Sequence, residues 1–313
     1  HEYCLILKVL DWNKLCAPLK RKYSNMGRAG YPPEQALRCI FLQFFKDLSD
    51  RQLEQVLKYD IASKYFCNFG LIDQTPDYTF FSKFRERIGT KLMSDMFKTI
   101  SKALQDAGLI RGYFTFVDSS KIEACVDSWS ARDKAIEDSQ NEEKDDDGKP
   151  TMNNKNAKNY LSDKDARYGV KGNKDIWIGY KRHVSVDAHQ GLILKVAVTP
   201  ANAHDGKSVK HVLPKTGAIL ADKGYGHGQA QKDIKARGLH SMAIKNNNAK
   251  DKDRKKDAFY CSLRMPFEGV FSKMSKRARY RSKVKVLFQA IMQAMVHNIK
   301  RLITIKAAPI PIT

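Results

Sequence analysis

The stretch ILADKGYGHG, residues 219–228, joins a short apolar run to one acid and three glycines. With its two preceding residues it gives GAILAD (217–222), too short for a helix and without clean alternation. That pattern predicts a strand buried on both faces and closed by Asp222. Gly224, Gly226 and Gly228 then predict a sharp turn. Asp222 is therefore either a turn cap or a carboxylate presented at the end of a buried strand.

Three further segments read as strands. YFTFVD (113–118) is aromatic and β-branched and ends in Asp118. KRHVSVDA (181–188) and LILKVAVT (192–199) flank HQG and predict a hairpin. The polar stretch of about 124–176, which includes NEEKDDDGKP (141–150), reads as a mobile insertion.

Before residue 110 the period is helical. Pro32 and Pro33 open a run with Ala36, Leu37, Ile40, Phe41, Phe44 and Phe45 on one face. Ser49 and Gln52 form a capping-box pattern. Asp77 precedes a stretch with Phe80, Phe81, Phe84 and Ile88, continued by Leu92, Met96, Phe97, Ile100 and Leu104 and ended by Gly108. After a polar loop at 246–257, a last helix carries Val284, Phe288, Ile291, Met295, Ile299 and Leu302 on its apolar face. The expected organisation is an all-helical amino-terminal domain (1–110), an α/β domain (111–306) and a short tail (307–313).

The 313 residues carry 56 basic and 34 acidic side chains, a formal charge of +22. That excess favours a polyanionic partner, with nucleic acid ahead of an anionic membrane. No apolar run approaches the roughly 20 residues that span a bilayer. No signal-peptide pattern is present; the chain begins with His1 rather than Met, so the natural start is expected to be missing or replaced. The six cysteines have neither CxxC nor zinc spacing and read as reduced thiols.

Asp118 and Asp222 each close a strand, and Glu268 follows Pro266 at an expected helix start. Strand-end acids on adjacent strands of an open sheet can share divalent cations, and a glutamate from a packed helix can complete the set. Carboxylate oxygens suit Mg²⁺ or Mn²⁺, and two ions roughly 3.5–4 Å apart serve phosphodiester transfer. Each acid also has a structural reading: Asp118 and Asp222 as turn caps, Glu268 as a first-turn acid or an i,i+4 partner of Arg264.

The run KMSKRARYRSKVK (273–285) holds seven basic residues and no acid, and beside Glu268 it reads as a phosphate-binding surface. Arg85, Arg87 and Lys91 form a weaker basic patch. His183 reads as packed in its strand, or as a contact behind the site or on DNA; His204-Asp205 reads as a helix cap at Asp205, ahead of a role in orienting the site, and His227 as exposed. GYGHG lacks the phosphate-loop pattern, so no ATP site is expected.

VDSSKIEA (117–124), ADKGYGHG (221–228) and RMPFEGVF (264–271) resemble, in order, the three acidic blocks of DDE transposases of bacterial insertion sequences, particularly the insertion-sequence-five type. GYKRHVSVDA (179–188) and ANAHDG (201–206) resemble the intervening segments, and YPPEQALR, LSDRQLE and PDYTFFSKFR resemble the amino-terminal domain. The resemblance covers about residues 28–305. It implies a ribonuclease-H-like mixed sheet with flanking helices, preceded by a helical domain for DNA-end binding or dimerisation. It implies Asp118, Asp222 and Glu268 as catalytic ligands of two Mg²⁺ or Mn²⁺ ions, with Tyr225 and Arg264 in support, and Lys273 or Lys276 on DNA. The rest of the basic run, Arg277, Arg279, Arg281 and Lys283, is assigned to DNA on its charge. The family often has lysine seven residues after the glutamate; here Ser275 stands there.

The function implied is metal-dependent cleavage of double-stranded DNA at transposon ends and strand transfer into target DNA, by a homodimer on DNA, without ATP or membrane. The expected location is the bacterial cytoplasm, on the nucleoid when DNA is bound. A silent DNA-binding relative and a nuclease without strand joining are the alternatives.

Overall fold

The computed structural model describes residues 1–23, 30–127, 130–131, 133–134, 137, 157–171, 175–245, 248–249, 252–272, 274–305 and 310. The chain opens with helices α1 (Glu2–Val9), α2 (Trp12–Leu15), α3 (Ala17–Lys20), α4 (Pro33–Phe45), α5 (Asp50–Tyr59), α6 (Ile61–Phe66) and α7 (Tyr78–Asp106). Local chemistry sets several of their ends. Pro33 occupies the first turn of α4, where its missing N–H costs nothing. Ser49 and Gln52 form the capping box of α5, and Asp77 accepts from Thr79 N and Phe80 N at the start of α7. Gly89 breaks α7 with φ of 67°, an angle that other residues avoid.

The α/β part follows as β1 (Phe114–Glu123), α8 (Ala157–Tyr160), β2 (Arg167–Lys171), β3 (Asp175–Asp187), β4 (Ile193–Pro200), α9 (Asp205–Ser208), β5 (Ala218–Ala221), α10 (Gly228–Ala236), β6 (His240–Ala243), α11 (Arg254–Ser272) and α12 (Lys283–Thr304). The strands make one six-stranded sheet of order β2-β3-β1-β5-β6, with β4 also on β3. β3 is antiparallel to β1 and to β4, while β5 and β6 run parallel to β1. Along β4-β3-β1-β5-β6, then, β3 alone is reversed. This is the mixed, ribonuclease-H-like order, with helices on both faces. The predicted hairpin is β3–β4.

The structure corrects three boundaries. Strand β1 does not close at Asp118; β3 pairs with it as far as Glu123. The stretch of 124–176 is not wholly a polar insertion, because β2 pairs there with the first half of β3. Trp177 holds it in place by packing on Gly169, where a Cβ would lie 2.6 Å from the indole. The segment 138–156, read as mobile, lies outside the described residues. Helix α11 begins at Arg254, inside the expected polar loop, and runs through Pro266. Glu268 therefore sits in the last turns of a helix. Proline costs that helix a hydrogen bond, but Phe267 and Phe271 pack on Phe116 of β1 at ring distances of 6.0 and 5.6 Å. Tertiary packing overrides the local stop signal.

Strand alternation divides the sheet residues between the two faces, as two of the hydrophobic clusters show. Phe116, Val184, Val186, Leu220 and Met242 join a continuous core with Tyr3, Ile40, Phe97, Met292 and Leu302 from helices α1, α4, α7 and α12. Val117, Ile219 and Ala221 face the other way, onto Val209, Val212, Tyr225, Ala230 and Ile234. Each large aliphatic or aromatic side chain fully buried here contributes about 1.5–3 kcal/mol. Asn298 of α12 is buried, and its amide both accepts from Ile193 N (2.7 Å) and donates to Ile193 O (2.9 Å), pinning the helix to β4. Val284, expected in the core, is 56% exposed at the first turn of α12. Among the described residues no helix is long and apolar enough to cross a membrane.

The helical region is also tied to the segment before α12. Arg85 donates to Asp50 through both terminal nitrogens (2.8 and 2.5 Å) and stacks on Tyr280 at 4.9 Å. Arg279 pairs with Asp47, donates to Leu48 O and lies over Phe44. Asp50→Ala would leave the Arg85 guanidinium, 12% exposed, without its anion. The expected cost is about 2–3 kcal/mol in denaturant unfolding. Asp95→Ala, which removes the exposed Lys98 pair, should cost under about 0.5 kcal/mol.

Candidate active site

The parallel ladder between β1 and β5 ends at the pair Val117↔Ala221. The next residue on each strand is an acid. Asp118 and Asp222 therefore stand side by side, on backbones about 4.8 Å apart. Asp118 shares the sheet face of Phe116, two residues away, and α11 covers that face. In α11, positions 264, 267, 268 and 271 follow i, i+3, i+4 and i+7 spacing and so form one stripe. Arg264 Nη1 meets Asp222 Oδ1 at 3.3 Å, and its guanidinium lies 5.3 Å over the Phe116 ring. Phe267 and Phe271 pack on the same ring. Position 268 shares this stripe; the Glu268 side chain itself lies outside the described residues.

The two aspartates differ in setting. Asp222 is 54% exposed and caps the 3₁₀ turn Lys223–Tyr225 by accepting from Lys223 N at 2.7 Å. Asp118 accepts from Ser119 N at 2.7 Å. Burial, reinforced by the negative charge of Asp222, raises its carboxyl from 3.8 to about 6, against the opposing pull of Ser119 N–H and Arg264. A divalent cation between the two would relieve both penalties, and the hard oxygen donors suit Mg²⁺ or Mn²⁺. Among the described residues no group of three or more metal-ligating side chains occurs.

The glycines after Asp222 have separate reasons. A Cβ on Gly226 would fall 2.4 Å from Ile244 O, so glycine lets the turn close against the end of β6. Gly228 starts α10 with φ of 61°. Gly224 meets neither constraint.

A family profile described as Transposase DDE domain matches residues 111–299, and one described as Transposase domain (DUF772) matches residues 1–87. The chain belongs to the DDE transposases. Among solved structures, piggyBac transposase in a synaptic complex with hairpin DNA aligns at 10% identity, covering 99% of this chain and 74% of that one, with a TM-score of 0.39. Mos1 transposase in a paired-end complex with the left transposon end aligns at 8% identity, covering 92% and 83%, with a TM-score of 0.20.

The other expected residues of the transposase fall into three places. His183 and Tyr225 are buried on the face opposite the aspartates. His183 Nε2 meets Thr199 Oγ1 at 2.8 Å, and burial holds its imidazole down at about 4, so it is neutral near pH 7. Burial, with the charges of Asp205 and Asp118, pushes the Tyr225 phenol well up. Between α11 and α12, residues 274–282 of the basic run are not helical, and the run ends in the first turn of α12; its backbone docks on the end of β1, where Glu123 N donates to Lys276 O and Ala278 N to Glu123 O (2.7 and 2.8 Å). Lys276, Arg277, Arg281 and Lys283 are exposed there, beginning about 16 Å along β1 from Asp118. Arg279, by contrast, turns inward to Asp47, and so does Arg85 of the amino-terminal patch, to Asp50. Lys273 lies outside the described residues.

Two features escaped the sequence reading. The helix cap at 204–205 belongs to His204, whose Nδ1 accepts from Gly206 N at 3.1 Å, and not to Asp205. Arg182 is fully buried, donating to Ser120 Oγ (3.2 Å), Ser275 O (3.3 Å) and Gln293 Oε1 (2.7 Å). It joins β1 just past Asp118 to the segment after α11. An arginine within a strand-like apolar run was its only signal.

In metal-free transposase the fold holds Asp118 near 6, against 3.8 for the ordinary carboxyl. Its contribution to stability therefore declines as pH rises from about 4 to about 6 and is constant above that. Asp118→Asn should be more stable than wild type at pH 7.5, by about 2–3 kcal/mol, with the difference vanishing below about pH 4. Denaturant unfolding in chelator across this range measures it.

Proposed function

We propose that the chain is the transposase of a bacterial insertion sequence of the insertion-sequence-five type, and that it cuts transposon ends and joins them to target DNA through Asp118, Asp222 and Glu268. The observation that carries this reading is the register at Val117↔Ala221, with an acid following on each strand and α11 lying over both. In this reading the three carboxylates hold two Mg²⁺ or Mn²⁺ ions, which when bound activate the attacking oxygen and stabilise the leaving one. Asp118, desolvated and beside a second carboxylate, has the electrostatic character that such a cation would relieve.

The remaining work falls to the chain's own groups. Arg264 fixes Asp222 and fills the space between α11 and Phe116, which excludes water from that side. Lys276, Arg277, Arg281 and Lys283, with Lys273, hold the phosphate backbone of double-stranded DNA and position it without reading sequence. The net charge of +22 fits that partner. Neither hydrolysis nor strand transfer needs ATP or a covalent protein intermediate. A homodimer would bring two ends together, acting in the bacterial cytoplasm at the nucleoid.

The test uses labelled duplexes carrying the element's ends, with Mg²⁺. Wild type should nick the ends and yield joined product. Asp222→Asn should bind the ends but cleave on the order of 10³-fold more slowly. Equal cleavage by the variant would defeat the carboxylate reading. Cleavage without joining would mark a nuclease, and binding alone a silent DNA-binding relative.

A further inference from the structure

Three motifs converge on the sheet face behind the aspartates. Lys181, from GYKRHVSVDA, donates from Nζ to Ala203 O at 3.0 Å and lies 3.2 Å from Asp205 Oδ1. The latter contact is an ion pair without hydrogen-bond alignment. Asp205, from ANAHDG, begins the four-residue helix α9, but His204 already caps it. Gly206 lies close against the turn after Asp222: a Cβ there would be 3.3 Å from Gly224 O and 3.2 Å from His204 Nδ1. Tyr225, from ADKGYGHG, is buried one residue after Gly224. Its phenol and the ring of His183 both feel the charge of Asp205.

The layer is not built for stability alone. His183 Nδ1, Ser185 Oγ and Thr115 Oγ1 are buried here without hydrogen-bond partners among the described residues. Apolar side chains of similar size would fill the same space at lower cost.

We propose that Asp205 is a positioning residue of the transposase: held by Lys181, it anchors the 201–206 loop against the turn that follows Asp222 and so sets how Asp222 stands beside Asp118. The proposal rests on the metal-dependent reading above. Asp205 touches neither DNA nor cation in this role. It acts through the Gly206–Gly224 contact and through Tyr225, both on the segment that carries Asp222.

The test combines cation binding with turnover in the full chain. Mn²⁺ binding, read by electron paramagnetic resonance, should be about 10-fold weaker in Asp205→Asn than in wild type, and half-maximal cleavage should need about 10-fold more Mg²⁺. The kcat should fall about 10–100-fold with KM for end DNA unchanged. Lys181→Met should act in the same direction, and the double variant should be no worse than Asp205→Asn, because the two act as one unit. Gly206→Ala, which presses on Gly224 O without removing a charge, should also weaken Mn²⁺ binding; this keeps the test decisive if Asp205→Asn fails to fold. Wild-type Mn²⁺ affinity in both Asp205→Asn and Gly206→Ala overturns the proposal, as does a change confined to KM. Wild type that binds no Mn²⁺, or binds it equally well after Asp222→Asn, overturns the metal-site reading and this inference with it.

Discussion

Parallel pairing between β1 and β5 is the constraint on which the rest of this molecule depends. Parallel neighbours end at the same level, so an acid placed just beyond each ladder must meet its counterpart. No loop has to find that geometry. It follows from two apolar runs of matching register, buried on both faces, and the surrounding elements serve to hold them. β3 supports β1 from the other edge, β6 supports β5, and α11 closes the face from which the carboxylates project.

The arrangement is electrostatically costly. Two carboxylates side by side, one largely desolvated, work against folding. The structure offsets part of this with Arg264, aimed at Asp222 and stacked on Phe116. A guanidinium suits that position, because its planar face packs on the aromatic ring while its edge reaches the acid. The same segment of α11 thus supplies apolar packing and a countercharge within two turns, on the stripe that also carries position 268. That density of tasks explains why a proline is tolerated there.

Much of the site was legible in sequence because its signals are local. An apolar run ending in an acid marks the strand end at Asp222 and, at Asp118, only the end of the pairing with β5, since β1 itself runs on to Glu123; Ser49, Gln52 and Asp77 announce helix starts by their own hydrogen bonds. What was not legible depends on partners far along the chain. Nothing in KMSKRARYRSKVK says that Arg279 will meet Asp47 while Lys276 and Arg277 face solvent. Nothing near Pro266 says that Phe116, some 150 positions earlier, will hold α11 continuous. The cap at His204 was assigned to its neighbour because aspartate is the commoner cap, and only the backbone geometry separates the two. The Glu268 side chain stays an assignment by stripe position and family motif.

The core that backs the candidate site has no seam at residue 110. Phe116, Val184 and Leu220 of the sheet share it with Tyr3, Ile40 and Phe97 of the opening helices and Leu302 of the closing one. The helices are therefore not a detachable adaptor. Exchanging them wholesale would mean re-fitting the packing beneath β1, β3 and β5, so change in this part of the molecule is steered towards single surface substitutions.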